Sequence, residues 1–283
     1  MGALHQGHLD LVRAAGRRRQ ETGGQVIVTI FVNPLQFGPA EDFDAYPRNL
    51  PADLDALAGQ GVDAVYAPSV RDMYPDGRLW ATIDPGPLGQ VFEGAIRPGH
   101  FAGVATVVHK LAARTGATAA VFGQKDAQQL AVVRRVAADL DLGWRIIAVP
   151  TRREADGLAM SSRNRYLTPS ERELGLALPH GIVAGRNAAE RGGSANDVRT
   201  AALMALAECL PRGSAAARSA QAARPRGAGG RGLELSFPDY LELVDPATFE
   251  PVDDAWTGTA LLIGALKVGR TRLIDNAEVA LGA

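Results

Sequence analysis

The chain has 283 residues, 46% of them hydrophobic, and a formal net charge of −1. That length supports one large domain or two modest ones, and near-neutrality offers no bulk attraction to nucleic acid or to a membrane surface. A single cysteine, Cys209, excludes an internal disulfide framework and a cysteine-based zinc cluster, and no apolar run approaches the ~20 residues of a membrane span.

His8 to Arg19 reads as a helix, with Leu9, Val12 and Ala15 at apolar helical spacing. Residues 25–32 (QVIVTIFV) form a β-branched run suited to a buried parallel strand, broken by Asn33-Pro34. Pro51 to Gln60 follows as a proline-opened helix and 62–67 as a strand. The alternation continues with a helix from His100 to Arg114, a strand at 117–122, a helix from Asp126 to Leu140 and a strand at 144–149. Strands alternating with helices predict a doubly wound parallel sheet over residues 1–150.

Beyond that point the pattern changes. Helical stretches at Pro169–Glu190 and Ala195–Leu210 precede strand-like runs at 239–244, 259–268 and 271–274, which predicts a smaller α+β domain over 151–283. Residues 211–232, rich in Gly, Pro, Ala and Arg, read as a flexible surface insert rather than core.

Four constellations carry candidate chemistry. His5-Gln6-Gly7-His8 opens the first helix, where unpaired N–H groups and the dipole favour phosphate. Gly7 allows a ligand close to the backbone, and each histidine can donate to phosphate or shuttle a proton. The spacing differs from that of zinc-binding HExxH, so no metal pair is expected. Gly123-Gln124-Lys125-Asp126 follows a strand and precedes a helix, the place where ligands sit in such sheets. Lys125 can neutralise phosphate and Asp126 can cap the helix or orient a ligand; lysine is otherwise present only at Lys110 and Lys267. Met160-Ser161-Ser162-Arg163 offers two hydroxyls and a guanidinium. Finally, Gln36, just past the first strand, and Gln129 each present a donor and an acceptor suited to a small hydroxy acid. Singly, each of these also fits an ordinary cap, turn or surface residue.

Together, in this order, they resemble the pantoate–β-alanine ligase family within the Rossmann-like HxGH nucleotidyl-transfer superfamily. The match runs through MGALHQGHL (1–9), IFVNPLQFG (30–38), EDFDAYPR (41–48), MYPDG (73–77), RPGHFAGVATVV (97–108), KDAQQL (125–130), READGLAMSSRNRYL (153–167) and DYLELVD (239–245). The resemblance implies a two-step ligase: ATP and pantoate give pantoyl adenylate and pyrophosphate, and the amine of β-alanine then releases pantothenate and AMP. It implies catalytic roles for His8, His5, Lys125 and Arg163, with His8 as proton donor. ATP would be bound by Met1, Gly2, Ala3, Leu4, His5, Gln6, Gly7 and His8, by Gly123, Gln124, Lys125 and Asp126, and by Arg152, Met160, Ser161, Ser162 and Arg163. Gln36 and Gln129 would bind pantoate, Gln36 also β-alanine, with Asn33, Tyr46 and Asp53 as further pocket or lid residues. Mg²⁺ would travel with ATP rather than occupy a protein cage. A cytoplasmic homodimer acting on small molecules, with neither nucleic acid nor membrane as partner, is the implied setting.

The chain departs from the family pattern in several places. Family members carry a few dozen residues before MGALH, including a strand ending in Pro-Thr, so the first strand of the sheet is expected to be missing and stability reduced. Gln124 stands where the family has Glu, Ala127 where an aromatic is common, and Arg152 where valine contacts adenine. Two other readings compete: a nucleotidylyltransferase that stops at the adenylated product, and a truncated homologue that binds nucleotide without turnover.

Overall fold

The computed structural model describes residues 2–38, 43–209 and 238–282, and the chain divides into two units, Met1–Arg152 and Arg153–Ala283. Met1 and the 211–232 tract lie outside the described residues.

The first unit runs α1 (Gln6–Thr22), β1 (Ile27–Thr29), a 3-10 turn (Pro34–Gln36), α2 (Leu50–Leu57), β2 (Ala64–Tyr66), α3 (Val70–Met73), a second 3-10 turn (Gly86–Gly89), α4 (Glu93–Ile96), α5 (His100–Thr115), β3 (Ala119–Gly123), α6 (Ala127–Asp139) and β4 (Arg145–Val149). Its strands are parallel, as the alternation predicts. Among the described residues they form two separate pairs, β1 with β2 and β3 with β4. Ile27 faces Ala64 in the first pair, and Ala119 faces Arg145 in the second. The expected strand at 25–32 contracts to three residues, extended by Ile30 N–H donating to Tyr66 O at 2.9 Å. Its partner ends there: Ala67-Pro68 leads into Ser69, which caps α3, so the β1–β2 ladder stops at Tyr66. On one side of the first pair, Leu9 and Val12 of α1 pack with Val28 and Leu57.

In the second unit, α7 (Pro169–Gly175), α8 (Ala177–Glu190) and α9 (Ala195–Glu208) pack on an antiparallel sheet of β5 (Tyr240–Val244), β6 (Gly258–Val268) and β7 (Thr271–Leu281), in the order β5-β6-β7. The single helix expected over Pro169–Glu190 is two. Pro179 has no N–H to donate to Gly175, so it sits in the first turn of a new helix, where that donor is not needed. The last strand runs to Leu281 rather than residue 274. Thr271, Leu273, Asp275, Val279 and Leu281 are buried at period two, and the inward Asp275 disguised the pattern. The core joins Leu178 and Ile182 of α8, Val198 and Leu206 of α9, and Leu262 and Leu266 of β6.

Candidate active site

The first unit gathers most of the expected residues. His5 is the N-cap of α1, three residues before the predicted start, so both histidines lie on its first turn. Their ring centroids are 4.0 Å apart. The His5 ring folds back over Gly7, where a Cβ would stand 3.0 Å from His5 Cε1. The backbone N–H of His5 donates to Nδ1 of His8 at 3.2 Å. That bond makes Nδ1 an acceptor and leaves the His8 proton on Nε2. Burial first, then the neighbouring His5 and the Lys125 ammonium, lower the His8 pKa from 6.5 to about 3. His8 is therefore a neutral imidazole presenting Nε2–H, a hydrogen-bond donor rather than a cation at neutral pH.

Lys125 reaches this region from the β3–α6 loop, within electrostatic range of His8 and 3.7 Å from Asp126. Gln124 N–H donates to Val149 O at 2.8 Å, so the loop leaves β3 still tied to the end of β4. Asp126 is the N-cap of α6, but its side chain makes no cap bond, contrary to the capping role considered above. Arg152 lies against the start of α1. Its Nε donates to Asp10 Oδ2 at 2.7 Å, and its Cβ lies 3.8 Å from where Gly7 would carry one.

The glutamines divide in a way the sequence conceals. Gln36 and Gln129 are half-buried, and among the described residues neither side-chain amide hydrogen-bonds to protein. Gln128 is spent inside: its Nε2 donates to Leu88 O and Val91 O at 2.8 Å each, and its Oε1 accepts from Glu93 N at 3.1 Å. Asn33 is likewise committed. Its Oδ1 accepts from Tyr74 O–H at 2.7 Å and its Nδ2 donates to Gly103 O at 3.2 Å, so it helps to build the Gln36 turn. Burial raises the Tyr74 pKa to about 12, keeping that donor protonated.

Two residues outside the expected set hold Gln36. Arg97 Nη2 donates to its carbonyl at 3.0 Å, and His100 Nδ1 lies 2.9 Å from the same oxygen. Gly103 lets α5 press against this turn, because a Cβ there would stand 2.4 Å from Leu35 O. The RPGH sequence was the available signal. Tyr46 sits edge-on to Phe37 at 5.8 Å, in an aromatic group with Phe43. Asp53 is 4% exposed and accepts from Ala3 N and Leu4 N at 3.1 and 2.7 Å. It touches the loop before His5.

In the second unit, Arg153-Glu154 and Leu158-Ala159 form a tight hairpin, with Glu154 N donating to Leu158 O at 2.8 Å. Arg153 clamps Asp275 at 2.6 and 2.9 Å, and Arg172 bonds Glu154 and Asp156 at 2.6 and 2.8 Å. This frame delivers Met160 and Ser161. Ser161 accepts from Arg163 N at 3.3 Å and opens the 3-10 turn Ser162–Tyr166, in which Ser162 and Asn164 are buried. Asn164 donates to Glu154 Oε1 at 2.5 Å, linking the serine turn to the hairpin. Among the described residues, no three His, Cys, Asp or Glu side chains cluster as a metal site would require, and no helix is long and apolar enough to cross a membrane.

Parallel strands, a histidine-bearing helix start and a lysine loop at the strand ends define a nucleotide-binding α/β protein. The family model described as pantoate-beta-alanine ligase matches residues 1–278, and the chain belongs to that family. The pantothenate synthetase of Streptomyces avermitilis is 46% identical over 308 residues, covering 100% of this chain and 92% of that protein. The one from Nocardia farcinica is 49% identical, covering 100% and 78%. The pantothenate synthetase structure from Thermus thermophilus superimposes with a TM-score of 0.85 at 42% identity, covering 99% of this chain and 91% of the other. A Francisella tularensis pantoate-beta-alanine ligase, solved with a β-γ ATP ligand and β-alanine, gives a TM-score of 0.67 at 30% identity, covering 98% and 86%.

Proposed function

We propose that this chain condenses pantoate with β-alanine, driven by ATP. In the first step a carboxylate oxygen of pantoate attacks the α-phosphorus, the α–β P–O bond breaks, and pyrophosphate leaves with the electron pair. In the second, the β-alanine nitrogen attacks the acyl carbon, the bond to AMP breaks, and the amine loses a proton. A free carboxylate is a poor acyl donor, and adenylation supplies the leaving group. Positioning and charge stabilisation then supply most of the catalysis.

The observation that carries this reading is the His8 imidazole on the first turn of α1, held with its proton on Nε2, with the Lys125 ammonium within electrostatic range. A neutral donor and a fixed cation can steady phosphate oxygens without a proton being transferred in the resting state. His5, the backbone from Gly2 to Gly7, and Gly123 to Asp126 would complete the nucleotide contacts in this unit, with Arg152 near adenine through its backbone. The family resemblance adds Met160, Ser161, Ser162 and Arg163 as ATP-binding candidates. Gln36 and Gln129, whose amides make no hydrogen bond to protein among the described residues, suit the hydroxyls and carboxylate of pantoate, with Gln36 also serving β-alanine. Mg²⁺ would accompany the triphosphate, reducing the charge that Lys125 and Arg163 meet. Family resemblance supports a cytoplasmic homodimer whose domains follow the two units, with the 1–150 segment binding ATP and pantoate.

Purified chain with MgATP and β-alanine should release AMP only when pantoate is added, with pantothenate formed in equal amount. Pantoate-dependent pyrophosphate without any amide product would instead indicate a nucleotidylyltransferase, and no nucleotide turnover would sink the ligase reading.

A further inference from the structure

We propose that Asp53 is a positioning residue that sets the His8 imidazole through the backbone of residues 3–5; its catalytic meaning rests on the ligase reading above. Ala3 has φ +50°, a left-handed conformation that costs a side-chain-bearing residue stability and persists only where surroundings enforce it. The enforcing group is Asp53. Its two carboxylate oxygens accept separately from Ala3 N and Leu4 N, across fifty and forty-nine residues of sequence. The carboxylate is itself well placed: it is 4% exposed, lies in the first turn of α2, and its own N–H donates to Asn49 O at 3.0 Å. Both of its oxygens serve backbone donors, which ties the carboxylate to the loop before His5.

The consequence is transmitted along three peptide units. With Ala3 and Leu4 held, the next N–H, that of His5, points at His8 Nδ1. That bond selects the tautomer with the proton on Nε2. Losing the Asp53 grip frees Ala3 to relax to negative φ, swings the His5 N–H away, and lets His8 sample both tautomers. An amide at position 53 retains one acceptor oxygen and turns an NH₂ toward a backbone donor, so it cannot serve both N–H groups.

The test compares wild type with D53N, A3G and D53N/A3G. Glycine adopts φ +50° without strain, so it should supply by conformational freedom what the carboxylate supplies by hydrogen bonds. In ¹⁵N spectra of the unliganded protein, wild-type His8 should show one unprotonated Nδ1 and one protonated Nε2. D53N should give averaged tautomers and a fall of tenfold or more in kcat/KM for ATP, with KM for β-alanine unchanged. D53N/A3G should recover at least threefold of that loss and restore the single-tautomer spectrum. A His8 spectrum unmoved in folded D53N, or a double variant no better than D53N, overturns the proposal. If D53N does not fold, D53E carries the same comparison, because it retains the charge and shifts it by one methylene. The spectra need no substrate, so an inactive wild type would remove the ligase reading while still deciding the role of Asp53.

Discussion

The two units use polar groups in opposite ways. In the second, Arg153, Asp275, Arg172, Glu154, Asp156 and Asn164 bond one another, and the frame they make sits on strands of five and eleven residues over a fully buried core. In the first, strands are three to five residues long, and polar chains are divided between those committed to structure and those left available. Asn33 and Gln128 hold backbone, while their neighbours Gln36 and Gln129 make no side-chain bond to protein among the described residues. A site needs both kinds: unsatisfied groups bind, and they are useful only when satisfied ones fix them.

The largest expected effect falls in the closed unit. Leu262→Ala, at a side chain with 0% exposure between α8 and the sheet, should lower unfolding free energy by roughly 2–5 kcal/mol in urea melts. A loss under 1 kcal/mol would mean that this core is not what distinguishes the unit. Next comes Gly103→Ala, whose new methyl meets Leu35 O. Overpacking there should cost about 1–3 kcal/mol and, by displacing the Gln36 turn, raise KM for pantoate. Loss of stability with pantoate KM unchanged would separate the turn from the binding role.

A third effect is acid sensitivity. His8 titrates near 6.5 when unfolded and at about 3 when folded, so the unfolded chain holds more protons between those values. Its contribution is therefore complete above pH 6.5 and declines as pH falls towards 3, by about 1–2 kcal/mol at pH 5. Urea midpoints of wild type should drop between pH 7 and 5 more steeply than those of His8→Gln, and equal slopes would contradict the buried neutral imidazole. Smallest on stability is Gln129→Ala, which should move the melt by less than about 0.5 kcal/mol while weakening pantoate binding. A clear destabilisation would show that Gln129 is structural after all.

Much of the fold was legible because apolar periodicity is local: every strand and helix placed from the sequence has a counterpart among the described residues, apart from the split at Pro179. The misses came where tertiary partners decide. The first strand ended when β2 ran out, and the last continued because Arg153 satisfies an inward aspartate. For the candidate site, motif order picks out loops, not which side chains within them are tied to structure. Asn33 and Gln36 are three residues apart and Gln128 and Gln129 adjacent, with nothing in residue type to separate the side chain bonded to structure from the one whose amide is not. Only burial and partners do, and Arg97 and His100 acquire a role only once α5 is seen to abut the Gln36 turn.

Gln128 carries a consequence for exchange with solvent. The amide of Glu93 is held by Gln128 Oε1, although Glu93 belongs to a four-residue helix with no side-chain cap. A segment that short would ordinarily trade its amide protons for deuterium almost as fast as an open loop. Here the Glu93 proton leaves only when α6 itself shifts or the Gln128 side chain lets go, so its deuterium uptake should keep the pace of a thirteen-residue helix thirty-five positions away.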